Sequence, residues 1–171
     1  PAAISEIQYY VQDGNTWKSI DANKVVNAGT YKAVVEARTA DGNSGIAQII
    51  YEIEPAEISV SVASSDTTYD PFARETKEIV KVDILEEIPN VKIFYRTNNG
   101  EWSQEAPTIK HVGTYEVEVW ITAPNYTDYT TIATAEILPF DISSCEVVLE
   151  QSDYYYTGGN IKPRVMELRT M

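Results

Sequence analysis

One spacing constrains this chain more than any other feature. The run Asn27-Ala28-Gly29-Thr30-Tyr31-Lys32-Ala33-Val34-Val35 returns later, position for position, as His111-Val112-Gly113-Thr114-Tyr115-Glu116-Val117-Glu118-Val119. The offset that carries Gly29 to Gly113 also carries Glu52-Ile53 and Pro55 to Glu136-Ile137 and Pro139, and no gap intervenes. A fixed period held over that length marks a tandem repeat, in which each copy folds as one supersecondary unit. Within a copy the alternation is strict. Tyr31, Ala33, Val35 and Ala37 face one way, and Lys32, Val34, Glu36 and Arg38 the other, which is the period of a half-buried strand. Asp41-Gly42-Asn43-Ser44-Gly45 then supplies turn residues, and Ile46 to Ile53 returns as the second arm of a hairpin.

The rest of the chain divides around these hairpins. Residues 1–54 read as the back part of a first repeat, 55–138 as a complete repeat, and 139–171 as the front part of a third. Ile4 to Val11 alternates as a strand, and Asp13-Gly14-Asn15 is a turn. Trp17 follows, then a stretch that reads as irregular. Ile58 to Val62 predicts a strand, Ser64 to Thr68 a polar linker, and Val80, Val82 and Ile84 one face of a further strand. Val91 to Arg96 is the counterpart of the first strand, with Ile93 and Tyr95 standing for Ile7 and Tyr9, and Asn98-Asn99-Gly100-Glu101-Trp102 mirrors the loop before Trp17. Pro55 and Pro139 mark strand boundaries, because proline has no N–H to give a ladder. Ala73 to Lys77 is the one helical candidate. About seven strand-like segments per repeat predict an all-β sandwich, with a mostly-β module of β-grasp type as the alternative.

Composition excludes several functions. A net charge of −13 leaves no clustered cationic face for nucleic acid. No apolar stretch approaches the roughly 18 residues that span a bilayer, and no segment reads as a signal peptide. Catalysis lacks its parts: the one histidine, His111, lies beside a turn glycine, and the one cysteine, Cys145, sits in another repeat as a small apolar strand residue. Asp41 to Gly45 has alternate oxygen ligands but no later bidentate glutamate, so it reads as a hairpin turn rather than a calcium loop. The sequence points to no catalytic residue, no metal site and no cofactor.

The aromatic residues are abundant, with twelve Tyr and three Trp. Trp17 and Trp102 recur in the same loop position, which predicts a structural role over the sheet edge. Trp120 lies between two core positions, Val119 and Ile121, and is therefore expected on the outer face. Trp120, Trp102 and Tyr95 are the candidate ligand contacts, for a glycan or a host protein.

Val112-Gly113-Thr114-Tyr115-Glu116-Val117 looks like the tyrosine corner of immunoglobulin-type domains, with Val117, or Ala33 in the first copy, where antibodies carry cysteine. Tyr95, Gly100 and Trp102, then Gly113, Tyr115, Val117 and Val119, then Pro124-Asn125-Tyr126, and finally Ile137 with Pro139 form an ordered series. The tail Tyr156-Thr157-Gly158-Gly159-Asn160-Ile161-Lys162-Pro163-Arg164-Val165 continues it. The series resembles the Ig-like and MBG-type tandem repeats of large bacterial cell-surface and secreted proteins. The resemblance implies a non-catalytic stalk, spacer or adhesive segment, extracellular and attached to the cell wall, whose partners are neighbouring repeats. Gly29, Tyr31, Gly113, Tyr115, Pro55 and Pro139 are its structural residues. The partial repeats at the two ends further suggest strand complementation between chains, head to tail.

Overall fold

The computed structural model describes residues 3–70 and 77–170. They are all-β and form several sheets, with two 3-10 turns, Ala22–Lys24 and Ile142–Ser144, as the only helical elements among the described residues. Of the helical candidate Ala73 to Lys77, all but the last residue lies outside the described residues, and Lys77 begins a short strand.

Strands β1 (Ala3–Asp13), β2 (Thr16–Ile20), β3 (Gly29–Arg38) and β4 (Ser44–Ile53) make one antiparallel sheet in the order β2-β1-β3-β4. The stretch after Trp17, expected to be irregular, is so from Asp21 to Ala28, with one 3-10 turn, but its first three residues belong to β2. The five residues of β2 are too few for periodicity to reveal, and the tight turn at Gly14 (φ +59°) folds them onto β1. Asn43 and Thr39 close the β3–β4 loop, Thr39 N donating to Asn43 O at 2.8 Å; of the hairpin turn expected over Asp41 to Gly45, Ser44 and Gly45 already pair within β4.

The second copy adds a layer. Strands β5 (Val60–Ser64) and β8 (Val80–Ile84) form one antiparallel pair, and β7 (Lys77–Glu78) and β10 (Thr108–Ile109) another. The larger sheet runs β6-β12-β11-β9, from β6 (Thr67–Thr68), β9 (Lys92–Thr97), β11 (Gly113–Thr122) and β12 (Tyr129–Leu138). The expected linker thus contains a short strand, since Thr67 and Thr68 run parallel to Ile137 and Leu138 on the sheet edge. Val117, Val119, Ile121, Ala135 and Ile137 project from the sheet onto Ile58, Ile79 and Val80, and Val60, Val62 and Val82 close the core between the layers. A last pair, β13 (Cys145–Leu149) with β14 (Val165–Thr170), follows Pro139; Cys145 is half-buried there with a free thiol.

The two hairpins share one register. Gly29 faces Ile53 and Ala37 faces Gly45; Gly113 faces Ile137 and Ile121 faces Tyr129. Each pairing in the second copy is the first copy's pairing moved by the sequence period. Tyr31 Oη donates to Asn27 O at 2.8 Å and Tyr115 Oη to His111 O at 2.9 Å, so both tyrosines bond four residues back across the glycine turn.

Outside the hairpins the copies diverge. Val35 pairs with Ile7, whereas Val119 pairs with Tyr95, so Tyr95 occupies the place of Ile7 rather than Tyr9. The displacement is an even number of positions, which keeps each side chain on its own face of the sheet. The two strands end differently: β1 runs on to Asp13 before its turn, whereas β9 stops at Thr97, opposite Val117.

Tyr95 is 9% exposed, within the core. Burial raises its phenol above the ordinary tyrosine value, and the carboxylate of Glu78 adds to the rise. The folded chain then holds that proton more firmly than the unfolded chain. The resulting stability is complete below the unfolded phenol value of about 10 and is lost as pH rises through the folded value. Tyr95→Phe should therefore reduce the fall in urea midpoint between neutral and strongly alkaline pH. An unchanged alkaline fall would exclude this residue as its source.

Candidate functional site

The outer face of the β9-β11-β12 sheet carries an aromatic cluster. Val119 and Ile121 are fully buried, so the pleat turns Trp120 to the opposite face. There its cross-strand neighbour is Phe94, and the two rings stack with centroids 4.9 Å apart and planes at 24°. Trp120 Nε1 donates to Asp128 Oδ2 at 3.0 Å, which fixes the indole against the loop before β12.

Trp102 reaches the same place through a turn. Asn98 and Asn99 adopt φ of +48° and +59°, the left-handed pair that a tight hairpin turn requires, and Gly100 N donates to Thr97 O. The chain reverses, Tyr95 and Ser103 exchange backbone hydrogen bonds, and Trp102 arrives beside Arg96. Its ring meets Trp120 edge-on at 5.9 Å, and the Arg96 guanidinium lies 4.8 Å from its centroid. Arg96 also donates to Glu118 at 2.5 Å, so its charge is engaged by both a ring and a carboxylate. Trp102, Trp120, Glu118, Thr130 and Ile132 line an open groove of about 510 Å³ along this face.

The first copy builds its aromatic contacts differently. Trp17 faces Gln12 near the end of β1, and the Lys32 ammonium sits over it at 4.7 Å and over Tyr10 at 4.9 Å. The first-copy position that corresponds to Trp120 is Glu36, which pairs with Arg38. Trp17 and Trp102 are equivalent in sequence but lie at different levels of their sheets, because the strands before them differ in length.

A second constellation lies between the copies. Asn125, at φ +69° in the β11–β12 loop, accepts from Ala28 N through Oδ1 at 2.9 Å and donates through Nδ2 to Asn27 Oδ1 at 3.0 Å. Its carbonyl accepts from Ala56 N at 2.9 Å, and Thr127 N donates back to Ala56 O at 2.8 Å. One asparagine thereby ties the turn before β3, the segment after Pro55 and its own loop together. Asn27 is held in turn by Tyr31, whose hydroxyl bonds its carbonyl.

Of the expected ligand contacts, the structure brings Trp120 and Trp102 together and separates Tyr95 from them. Tyr95 is corrected to a core residue, because its parity places it under the sheet with Val119. Phe94, Arg96 and Asp128 were not anticipated. The signal for the first two was present: with Ile93 and Tyr95 in the core, the residues after each must face outward beside Trp120. Pro55 and Pro139 stand just beyond β4 and β12. Among the described residues no group of three or more His, Cys, Asp or Glu could hold a metal ion, and no helix is long and apolar enough to cross a membrane. The chain matches no known protein-family model and no curated protein at a significant level.

Proposed function

We propose that this chain is a non-catalytic segment of a repetitive extracellular surface protein, serving as a stalk, spacer or adhesive unit. The observation that carries the reading is the Asn125 clamp. Successive copies joined only by the strand connection at Pro55 would swing about it. A second tether, 97 or 98 residues distant in sequence, removes that freedom by hydrogen bonds from one side chain to both Asn27 and Ala28. A joint held at two points transmits direction from copy to copy, which is what a spacer requires. The Ig-like and MBG-type character of the repeats, the secreted or cell-wall-attached location and the neighbouring repeats as partners belong to the same proposal.

Small-angle scattering tests it. Asn125→Ala removes both side-chain hydrogen bonds, each worth about 1 kcal/mol, and should widen the range of orientations between the copies. The radius of gyration should rise, and Asn27→Ala should add little in the Asn125→Ala background because the same bond is already gone. Identical profiles for wild type and both variants would refute the joint. The same series across concentration reads head-to-tail association. Ile7 and Ile49 of the first sheet, and Val147 paired with Leu168 of the last hairpin, present apolar faces like those packed together in 55–138. Mass should grow with concentration, and a monomer at every concentration would remove that partner from the proposal.

A further inference from the structure

We propose that the groove on the outer face of β9, β11 and β12 binds a neutral sugar, with the apolar face of a pyranose ring against Trp120 and with Trp102, set at 68° to it, as the flanking wall. Several observations converge on that ligand class. The groove is open and, at about 510 Å³, large enough to take a pyranose ring, so its lining and not its size points to the ligand. Its aromatic wall is held in place before any ligand arrives: Phe94 backs Trp120, Asp128 bonds its indole N–H, and Arg96 lies on Trp102. An aromatic ring presents a negative face, to which the C–H-bearing face of a pyranose offers positive hydrogens and apolar area.

The polar groups narrow the class further. Glu118 lines the floor, Asp128 stands beside the indole, and Thr130 lies directly across from Trp120 in the ladder. Carboxylates accept hydrogen bonds and a sugar hydroxyl donates them, so the edge of a neutral ring matches this set. An anionic sugar does not. The cation beside the two indoles, Arg96, is already bonded to Glu118, and the chain as a whole carries −13. A self-contact through Ile132, which is 63% exposed, is the competing occupant.

The inference is independent of the spacer reading, since the groove lies within one copy and its test does not depend on the joint. The experiment is fluorescence titration of the full chain in a Trp17→Phe background, so that emission reports only Trp102 and Trp120. The probes are soluble hexasaccharides of glucose, mannose and N-acetylglucosamine, with a sialylated oligosaccharide alongside. At least one neutral probe should give a saturable shift. Trp120→Ala should weaken that binding by roughly tenfold or more, about 1.4 kcal/mol. Thr130→Val, which keeps the shape and removes a hydroxyl, should weaken it less, and its unchanged circular dichroism would separate lost contact from lost fold. The proposal fails if no neutral probe saturates, if the sialylated probe binds more tightly, or if binding survives Trp120→Ala. Self-association abolished by Ile132→Ser would also overturn it, by assigning the face to a second copy.

Discussion

Val119→Asp should unfold the second copy while Val35→Asp, at the same place in the first, leaves its sheet standing. The two valines are equivalent in the repeat and occupy one register, yet Val119 is 0% exposed and Val35 only half-buried. The difference is the second layer. Val119 faces Ile58, Ile79 and the β5–β8 pair, whereas among the described residues no strand pair covers Ile49, 62% exposed, beside Val35. An uncompensated carboxylate at Val119 costs roughly 3–5 kcal/mol, comparable to the whole stability of a small domain. At Val35 the introduced group keeps contact with water, and the cost is about 1 kcal/mol. Burial also raises the folded-state pKa of a carboxyl at Val119, so that the native state binds the proton more tightly than the unfolded state. The penalty is therefore full above the folded value and shrinks as pH falls from there toward the unfolded carboxyl value of about 4. Urea unfolding read by Trp102 and Trp120 in one variant and Trp17 in the other checks the contrast. Equal losses would mean that the two sheets are equally covered.

The same contrast explains what could be read from the sequence. A constant period with strict alternation inside it specifies both hairpins, because a slip of one residue would turn Tyr31 and Val35, or Tyr115 and Val119, to the wrong face. It specifies the outward direction of Trp120 for the same reason. It does not specify β2 or β6, which are held by pairing partners rather than by any pattern of their own. Nor does it reveal that Trp102 meets Trp120. That meeting depends on the Asn98-Asn99 turn shortening the hairpin, while Gly14 in the first copy lets β1 run on to Asp13. The Asn125 clamp is invisible for a different reason: its partners lie in the other copy, far away along the chain, and Asp41 occupies its position in the first copy. The tyrosine at 95 illustrates the limit of composition. An aromatic residue near a loop suggests a ligand contact, but parity decides, and parity places it in the core.

Glycine substitutions test whether the two copies are one structure in the backbone as well as in the side chains. Gly29 and Gly113 both adopt φ +151°, a conformation that L side chains rarely take, at the start of β3 and β11. Space is not the obstacle. A Cβ on Gly29 would meet nothing nearer than Tyr31 Cε2 at 3.9 Å, and one on Gly113 would lie 3.5 Å from Tyr115 Oη, both ordinary contacts. The cost is the backbone itself, roughly 1–3 kcal/mol, with a part of the tyrosine hydroxyl bond at risk if the turn relaxes. Gly29→Ala and Gly113→Ala should therefore destabilise by similar amounts, although one sheet has a second layer and the other has none among the described residues. Gly45, across the same hairpin from Ala37, has open space and no positive φ. Gly45→Ala should stabilise by about 0.4–1 kcal/mol through the reduced freedom of the unfolded chain. Denaturant midpoints for the three variants separate the effects. A neutral Gly29→Ala beside a damaging Gly113→Ala would show that the turns merely look alike, and that the repeat is one of side-chain pattern without a common backbone.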